Sequence, residues 1–283
     1  MIFNKLPSLS FTEVWLNALH DVIRSGHIVS PRDKLTLELP QRTTISDMTR
    51  PVLTAPERQL SYRFMAAEAY WILSGSDRVE DISKYNPNIA QFSDDGERFY
   101  GAYGPKIVGQ MDYIVDKLLQ DPSSRQAGLT IWRENPPATK DVPCTVAIFC
   151  NIRQDENKRD HLNVHVFMRS SDLWLGLPYD TFNFSMFGHL ICAKLNAHRR
   201  HDEAVRPGYL FLTAASSHIY QTNWDDAKRC IDAGLPKATQ PTTPEMMWRD
   251  ERALMMWLKD LRDTQKGSQE RFEDTGVRLR WWE

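Results

Sequence analysis

Cys144 follows Pro143 at the mouth of an apolar run, Thr145 to Ile152. The proline restrains the backbone just ahead of the thiol and helps aim it. A cysteine thiolate is a strong nucleophile that could add to an electrophilic carbon, whereas a thiol beside an apolar run can equally serve as buried filler. Further along, Arg169-Ser170-Ser171-Asp172 precedes Gly176-Leu177-Pro178. Guanidinium and hydroxyl groups both donate to phosphate oxygens, so this run reads either as a phosphate clamp or as an exposed turn with an ion pair. Arg32 and Arg125, each in a turn beside Ser and Pro, carry the same two readings. Glu68 sits within an apolar helical run. On the buried face its pKa would rise and suit it to proton transfer; on the polar face it would be an ordinary surface acid. In His218-Ile219-Tyr220 the outer two side chains share one face of a strand, fit to hold a sugar hydroxyl or to line a wet edge. The run His198-Arg199-Arg200-His201-Asp202 is set aside as a solvated exit that complements a helix C-terminus.

These residues need elements to hold them. Val14, Trp15, Leu19, Val22 and Ile23 mark an amphipathic helix from about Ser10 to Ser25. Ser30 to Asp33 breaks it, and Lys34 to Leu39 alternates as a strand. A helix is predicted from Pro56 to Ser74, with Gly75 ending it. Asp94 to Gly104, rich in Asp, Gly and Tyr, reads as a long functional loop, followed by a helix from Ile107 to Leu119. Gly128 to Trp132, Thr145 to Ile152 and His161 to Met168 read as strands, with the charged Gln154 to Asp160 as a turn. Thr181 to Ala197 is apolar and too long for a strand, hence a buried helix. A short strand, Gly208 to Ala215, a helix, Trp224 to Ala233 stopped by Gly234, and a last helix opened by Thr243-Pro244-Glu245 complete the order. No repeat or linker divides the chain, so one α/β domain over residues 1–283 is expected.

Composition sets bounds on function. Hydrophobic residues make up 41% and charged residues 25%, the proportions of a globular protein. A formal net charge of −2 argues against bulk attraction to nucleic acid. No apolar run reaches the roughly 18 residues of a membrane span, and the opening Met1 to Trp15 breaks its apolar character too early for a signal peptide. Cys144, Cys150, Cys192 and Cys230 have neither zinc-site nor disulfide-framework spacing. A soluble cytoplasmic protein (host cytoplasm, if viral) without a metal, membrane or nucleic-acid partner is expected.

Taken in order, the motifs are similar to those of the thymidylate synthase superfamily from about Arg32 to Tyr220. The matching runs are Glu68 to Gly75, Tyr103-Gly104, Asp121 to Arg125, Pro143-Cys144, Arg169 to Asp172 with Gly176-Leu177-Pro178, and His218 to Tyr220. The last third of the chain matches poorly. The resemblance implies a mixed β-sheet flanked by helices and a sheet-to-sheet homodimer. It implies that Cys144 attacks C6 of a pyrimidine nucleotide and that Arg32, Arg169 and Ser170 hold its phosphate. Arg125 would reach the phosphate in the partner subunit. His218 and Tyr220 would bind the sugar 3′-hydroxyl, Tyr103 would line the pocket beside the cysteine, and Asp172 would support the base and the folate ring. Glu68 would organise water and proton transfer near base and folate, with 5,10-methylenetetrahydrofolate as co-substrate.

The departures narrow the expectation. Two residues after Gly-Leu-Pro the synthases carry asparagine, which matches uracil; here the position is Asp180. A carboxylate accepts from the N4 amino group of cytosine and, once N3 is protonated, from both nitrogens. The same exchange marks the cytidylate hydroxymethylases of the superfamily. The competing reading is that Asp180 caps the helix starting near Thr181. Gln126 replaces a second arginine, Thr145 a histidine after the nucleophile, and Ala90 a tryptophan, where a smaller side chain admits water. The ending Arg278 to Glu283 lacks the small apolar terminus that closes over folate. The expected activity is therefore 5-hydroxymethylation of a cytosine nucleotide, dCMP favoured over CMP. The alternatives are a thymidylate synthase or cytidylate methylase that keeps the hydride step, and a catalytically silent nucleotide-binding protein.

Overall fold

The computed structural model describes residues 9–236 and 241–264. Met1 to Ser8 and the Arg278 to Glu283 ending therefore lie outside the described residues. Helix α1 (Phe11–Ser25) begins at a capping box, with Ser10 accepting from the Glu13 N–H while the Glu13 carboxylate accepts the Ser10 N–H at 2.7 Å. It buries Phe11, Trp15, Leu19 and Val22 against the sheet side of the molecule. Strand β1 (His27–Val29) and a tight turn, Pro31–Asp33, lead into β2 (Thr36–Asp47). Helix α2 (Tyr62–Leu73) is capped by Ser61 and released by Gly75, whose φ of 78° lies in the left-handed region that glycine favours. Short helix α3 (Val79–Ser83) and α4 (Gly104–Gln120) follow, then strands β3 (Gly128–Thr130), β4 (Thr145–Gln154), β5 (Asp160–Met168) and β6 (Ser171–Asp172). Helix α5 (Leu177–Asn196) is buried on nearly every side, which is why its sequence has no polar stripe. Strand β7 (Arg206–Tyr220), α6 (Trp224–Ala233), α7 (Met246–Arg249) and α8 (Glu251–Asp263) complete the order.

The strands form one mixed sheet in the order β1-β2-β7-β5-β4-β3, with β6 also pairing β7. β5 and β6 run parallel to β7, and the other pairs are antiparallel. The expected mixed sheet flanked by helices is thus present. The core lies beneath the sheet around Trp15, Phe182, Phe184 and Phe187. On the opposite face Phe149 and Phe167 remain 42% and 44% exposed and pack edge to face.

Several boundaries differ from the sequence reading. β2 and β7 are far longer than their alternating runs, because the two strands pair along almost their whole length, from Thr36–Tyr220 to Asp47–Tyr209. The segment His218 to Tyr220 is thereby the end of β7 and not a separate piece. Helix α4 starts at Gly104, so the 94–104 loop is ordered up to the helix; its Gly101 N–H donates to the Asp141 carboxylate at 2.7 Å. The final helix is two helices, divided at Asp250, whose side chain caps α8 through the Arg252 and Ala253 N–H groups.

Candidate active site

The junctions where strands meet loops at one end of the sheet enclose a cavity of about 460 Å³. Arg32, Cys144, Arg169, Ser170, Asp172, Asp180, His218 and Tyr220 all line it, together with Thr36, Glu38, Ser171, Leu175, Gly176 and Ser216. Residues separated by nearly 190 positions converge because β2 pairs β7, and β6 pairs β7 on its other side. Glu38 stands opposite His218, and Asp172 is also in register with His218.

Cys144 sits just before β4. Its carbonyl accepts the Arg169 N–H at 2.8 Å, and the Arg169 guanidinium donates to the Pro143 and Val142 carbonyls at 3.0 and 2.9 Å. Ser170 Oγ approaches Cys144 Sγ at 3.7 Å and accepts from Arg169 at 3.1 Å. Burial raises the thiol above its ordinary pKa, opposed by the Arg169 charge and the Ser170 hydroxyl. Cys150, Cys192 and Cys230 are buried and raised by burial, as expected of structural thiols.

In the turn that leads into β2, Arg32 is held at φ 55° and Asp33 at φ 59°, two successive left-handed non-glycine residues. Such strain persists only where surrounding structure imposes it and clusters at ligand sites. Arg32 donates to the Tyr220 hydroxyl at 3.5 Å, and the Lys34 ammonium lies 5.8 Å above the Tyr220 ring. Beside His218, Ser216 Oγ makes a very short bond to Glu38 and stands 3.5 Å from His218 Nδ1.

Of the other carboxyl groups, Asp172 and Asp180 line the cavity, and Glu68 lies close to Asp180 without lining it. Asp180 lies in the first turn of α5, which starts at Leu177 after an N-cap at Gly176. The helix-capping reading of Asp180 is thereby overturned, because the helix begins a turn earlier than the apolar run. A Cβ at Gly176 would stand 3.3 Å from Asp180 Oδ2, so the missing side chain leaves room for the carboxyl. No described residue donates a hydrogen bond to that carboxyl, and burial, then Glu68 and Asp172, raise its pKa far above the carboxylate range. Glu68 on α2 is raised to about 7 by burial, against the Asn183 hydrogen bond that lowers it. The polar-face reading of Glu68 does not hold. Tyr103 stacks on Phe184, accepts the Thr145 N–H at 3.2 Å, and is raised by burial and by Asp180 and Cys144.

Asp172 Oδ1 accepts the Trp174 and Leu175 N–H groups at 2.8 and 3.0 Å, leaving Oδ2 without a donor among the described residues. Beside it, exposed Leu175 offers an apolar ledge, while Arg58 stacks on Trp174 at 4.8 Å and donates to its carbonyl. An acceptor beside an apolar ledge suits a flat heterocycle with N–H donors.

Arg125 is exposed in the turn after α4 and does not line this cavity. Glu38, Ser216, Arg58 and Asn183 were not singled out from sequence. The alternation Thr36-Leu37-Glu38 did place Glu38 and Thr36 on one face, but nothing in the sequence tied that face to His218. Among the described residues no group of three or more His, Cys, Asp or Glu could hold a metal ion, and no helix is long and apolar enough to cross a membrane.

Comparison with known proteins agrees with this arrangement. The chain is 29% identical over 187 residues to the deoxyuridylate hydroxymethyltransferase of Bacillus phage SP01, covering 58% of this chain and 47% of that protein. It is 30% identical over 164 residues to the enzyme of the same name from Delftia phage PhiW-14, covering 52% and 44%. To the thymidylate synthase of Pseudomonas fluorescens SBW25 it is 23% identical over 255 residues, covering 79% and 85%. The chain thus spans about half the length of the two phage relatives. The family model for thymidylate synthase matches residues 13–261, well beyond the Arg32 to Tyr220 stretch legible as motifs and including the final helices. The match contains every residue lining the cavity, and the chain belongs to the thymidylate synthase family.

Proposed function

We propose that the protein is a cytoplasmic 5-hydroxymethyltransferase of cytosine nucleotides, dCMP favoured over CMP, built as one catalytic domain that works as a homodimer. The observation that carries this reading is Asp180, set deep in the cavity with its pKa raised and no donor of its own. In its acid form it donates to cytosine N3 while its carbonyl accepts from N4–H. As the Cys144 thiolate adds to C6, charge moves into the ring, and the Asp180 proton passes to N3. The resulting carboxylate then accepts from both N3–H and the exocyclic N4–H. An amide at this position can hydrogen-bond to the base but has no proton to give.

The remaining side chains take complementary roles. Arg32, Arg169 and Ser170 bind the phosphate, with Arg125 reaching the phosphate in the partner subunit. His218 and Tyr220 hold the sugar hydroxyl, and Tyr103 closes the wall beside the thiol. Asp172 Oδ2 and the Leu175 ledge support the folate, which as 5,10-methylenetetrahydrofolate supplies a one-carbon unit to C5. Glu68, poised near neutrality, takes the proton when water adds to the resulting exocyclic methylene.

A second reading has its own support. Both phage relatives above carry names that specify deoxyuridylate. A protonated Asp180 can also meet uracil, accepting from N3–H and donating to O4, so uracil hydroxymethylation shares every other feature of the site. Incubating the protein with methylenetetrahydrofolate and each of dCMP, CMP and dUMP, with product mass as readout, separates the two. A hydroxymethyl product from dCMP supports the first reading, and turnover of dUMP alone overturns it for the second. Dihydrofolate absorbance exposes a thymidylate synthase or cytidylate methylase. Tight nucleotide binding with no product would identify a silent binder.

A further inference from the structure

Helices α2 and α5 pack together next to Asp180, the α5 residue whose side chain lines the cavity, and there Asn183 Nδ2 donates to Glu68 Oε2 at 2.7 Å. Asn183 is 4% exposed, and its Oδ1 has no hydrogen-bond partner among the described residues. A buried amide oxygen left so is costly and calls for a donor that the described residues do not supply. Glu68 Oε1 likewise receives no donor from the described residues. Asn183 follows Asp180 by three residues, so both side chains rise from the same face of α5. The amide and the carboxyl together present one used and two unused acceptor oxygens beside the base-reading position.

Water is the small group that carries two donors and still keeps lone pairs for bonding. We propose that Asn183 is a positioning residue for the hydration step: the attacking water donates one hydrogen to Asn183 Oδ1 and the other to Glu68 Oε1, and turns a lone pair toward the exocyclic methylene carbon. This rests on the hydroxymethylation reading above. The water oxygen forms the new C–O bond as the methylene π pair moves into the ring, and its proton goes to the Glu68 carboxylate. The ring electrons then restore C5=C6 and expel the Cys144 thiolate from C6. No oxidant or reductant is required. The groups facing Glu68 are Asp180 and Tyr179 from α5, with Asp172 beyond Asp180. Neither Tyr179 nor Asp180 hydrogen-bonds to Glu68 among the described residues, whereas the Asn183 amide holds Glu68 Oε2.

The inference is tested by separating hydration from the steps before it. With C5-tritiated dCMP and methylenetetrahydrofolate, tritium release reports the loss of the C5 hydrogen that precedes methylene formation, and product mass reports hydration. Added 2-mercaptoethanol traps unhydrated methylene as a thioether. For Asn183→Leu, tritium release in the first turnover should stay within about threefold of wild type. Hydroxymethyl product should form at least about tenfold more slowly, with thioether appearing in its place. Asn183→Ser, which keeps an oxygen acceptor, should fall between. Equal slowing of both measurements, or of neither, overturns the role of Asn183. If Asn183→Leu no longer binds dCMP, the ratio in Asn183→Ser decides in the same way. Wild-type protein that releases no tritium from dCMP, or that forms dihydrofolate, overturns the hydroxymethylation reading and with it this inference. That result is seen without any variant, so the two failures are distinguishable.

Discussion

The backbones of Arg169 and Cys144 are joined, the Arg169 N–H donating to the Cys144 carbonyl at 2.8 Å, while the Arg169 side chain ties down Pro143 and Val142 on the same strand approach. One residue thus fixes where the thiol points and places a positive charge near it. The charge opposes the burial that otherwise keeps Cys144 protonated.

Replacing Arg169 by Gln should therefore raise the Cys144 pKa further and lower the thiolate fraction at pH 8. Alkylation of Cys144 by iodoacetamide in the free protein should slow roughly three- to tenfold, the change expected from half to one pKa unit. Peptide mass spectrometry checks this cleanly, because Cys150, Cys192 and Cys230 are buried. An unchanged rate would show that Arg169 acts on the phosphate and the backbone alone.

Asp180→Asn separates hydrogen bonding to the base from proton supply. The amide fills the same space and still bonds to N4–H and N3, so dCMP affinity should change little. It cannot protonate N3 as the thiolate adds, so kcat with dCMP should fall by about 10²-fold or more. Turnover of dUMP should rise, since the amide matches uracil without a change of charge. Calorimetry for affinity and product mass for turnover give both numbers. A parallel loss of dCMP binding and turnover would mean that the carboxyl only shapes the pocket.

How much of this site was readable beforehand follows from what holds each part. Cys144, Arg169, Ser170, Asp172 and Asp180 lie within one stretch of sequence, and their spacing survives as proximity. His218 and Tyr220 were legible through the period of two. Glu38 and Asn183 were not, because their roles arise from pairing between distant elements, β2 with β7 and α2 with α5. The buried helix is legible from its apolar length, but it starts at Leu177, a turn before the apolar run. Gly176-Leu177-Pro178 resembles a loop, although proline is well placed in a first helical turn. The same long-range pairing extended β2 and β7 through Pro40-Gln41 and Ala215-Ser216, where the local alternation fails.

Glu68 makes stability depend on pH. Its pKa is about 7 in the folded protein and near 4.5 when exposed. The folded state therefore holds the proton more tightly, and stability is lost as pH rises from about 4.5 toward about 7, then stays lost above it. Glu68→Gln removes that slope. It should leave stability near wild type at pH 4.5 and raise it at pH 8 by up to about 3 kcal/mol, a ceiling that solvent reaching the cavity will lower. Urea unfolding at the two pH values measures the difference. A variant less stable than wild type at pH 8 would show that the Asn183 hydrogen bond to an ionised Glu68 outweighs the desolvation.

The open face of the sheet bears on the proposed homodimer. Phe149, Phe167, Phe211 and His165 lie in adjacent positions of β4, β5 and β7, with His165 stacked on Phe211 at 4.6 Å and the two exposed phenylalanines edge to face. Aromatic side chains left on a sheet face lose their unfavourable hydration when a second sheet covers them. Phe167→Glu with Phe149→Glu should therefore give a monomer by light scattering at micromolar protein, with helix content unchanged. If Arg125 serves the partner's phosphate, mixing two inactive proteins sharpens the point. Arg125→Ala retains its cysteine and Cys144→Ser retains its arginine, so a mixed dimer regains one complete site. About a quarter to a half of wild-type activity per dimer should return on mixing and subunit exchange. No recovery, with exchange demonstrated, would confine Arg125 to its own subunit's surface and leave the phosphate to Arg32, Arg169 and Ser170.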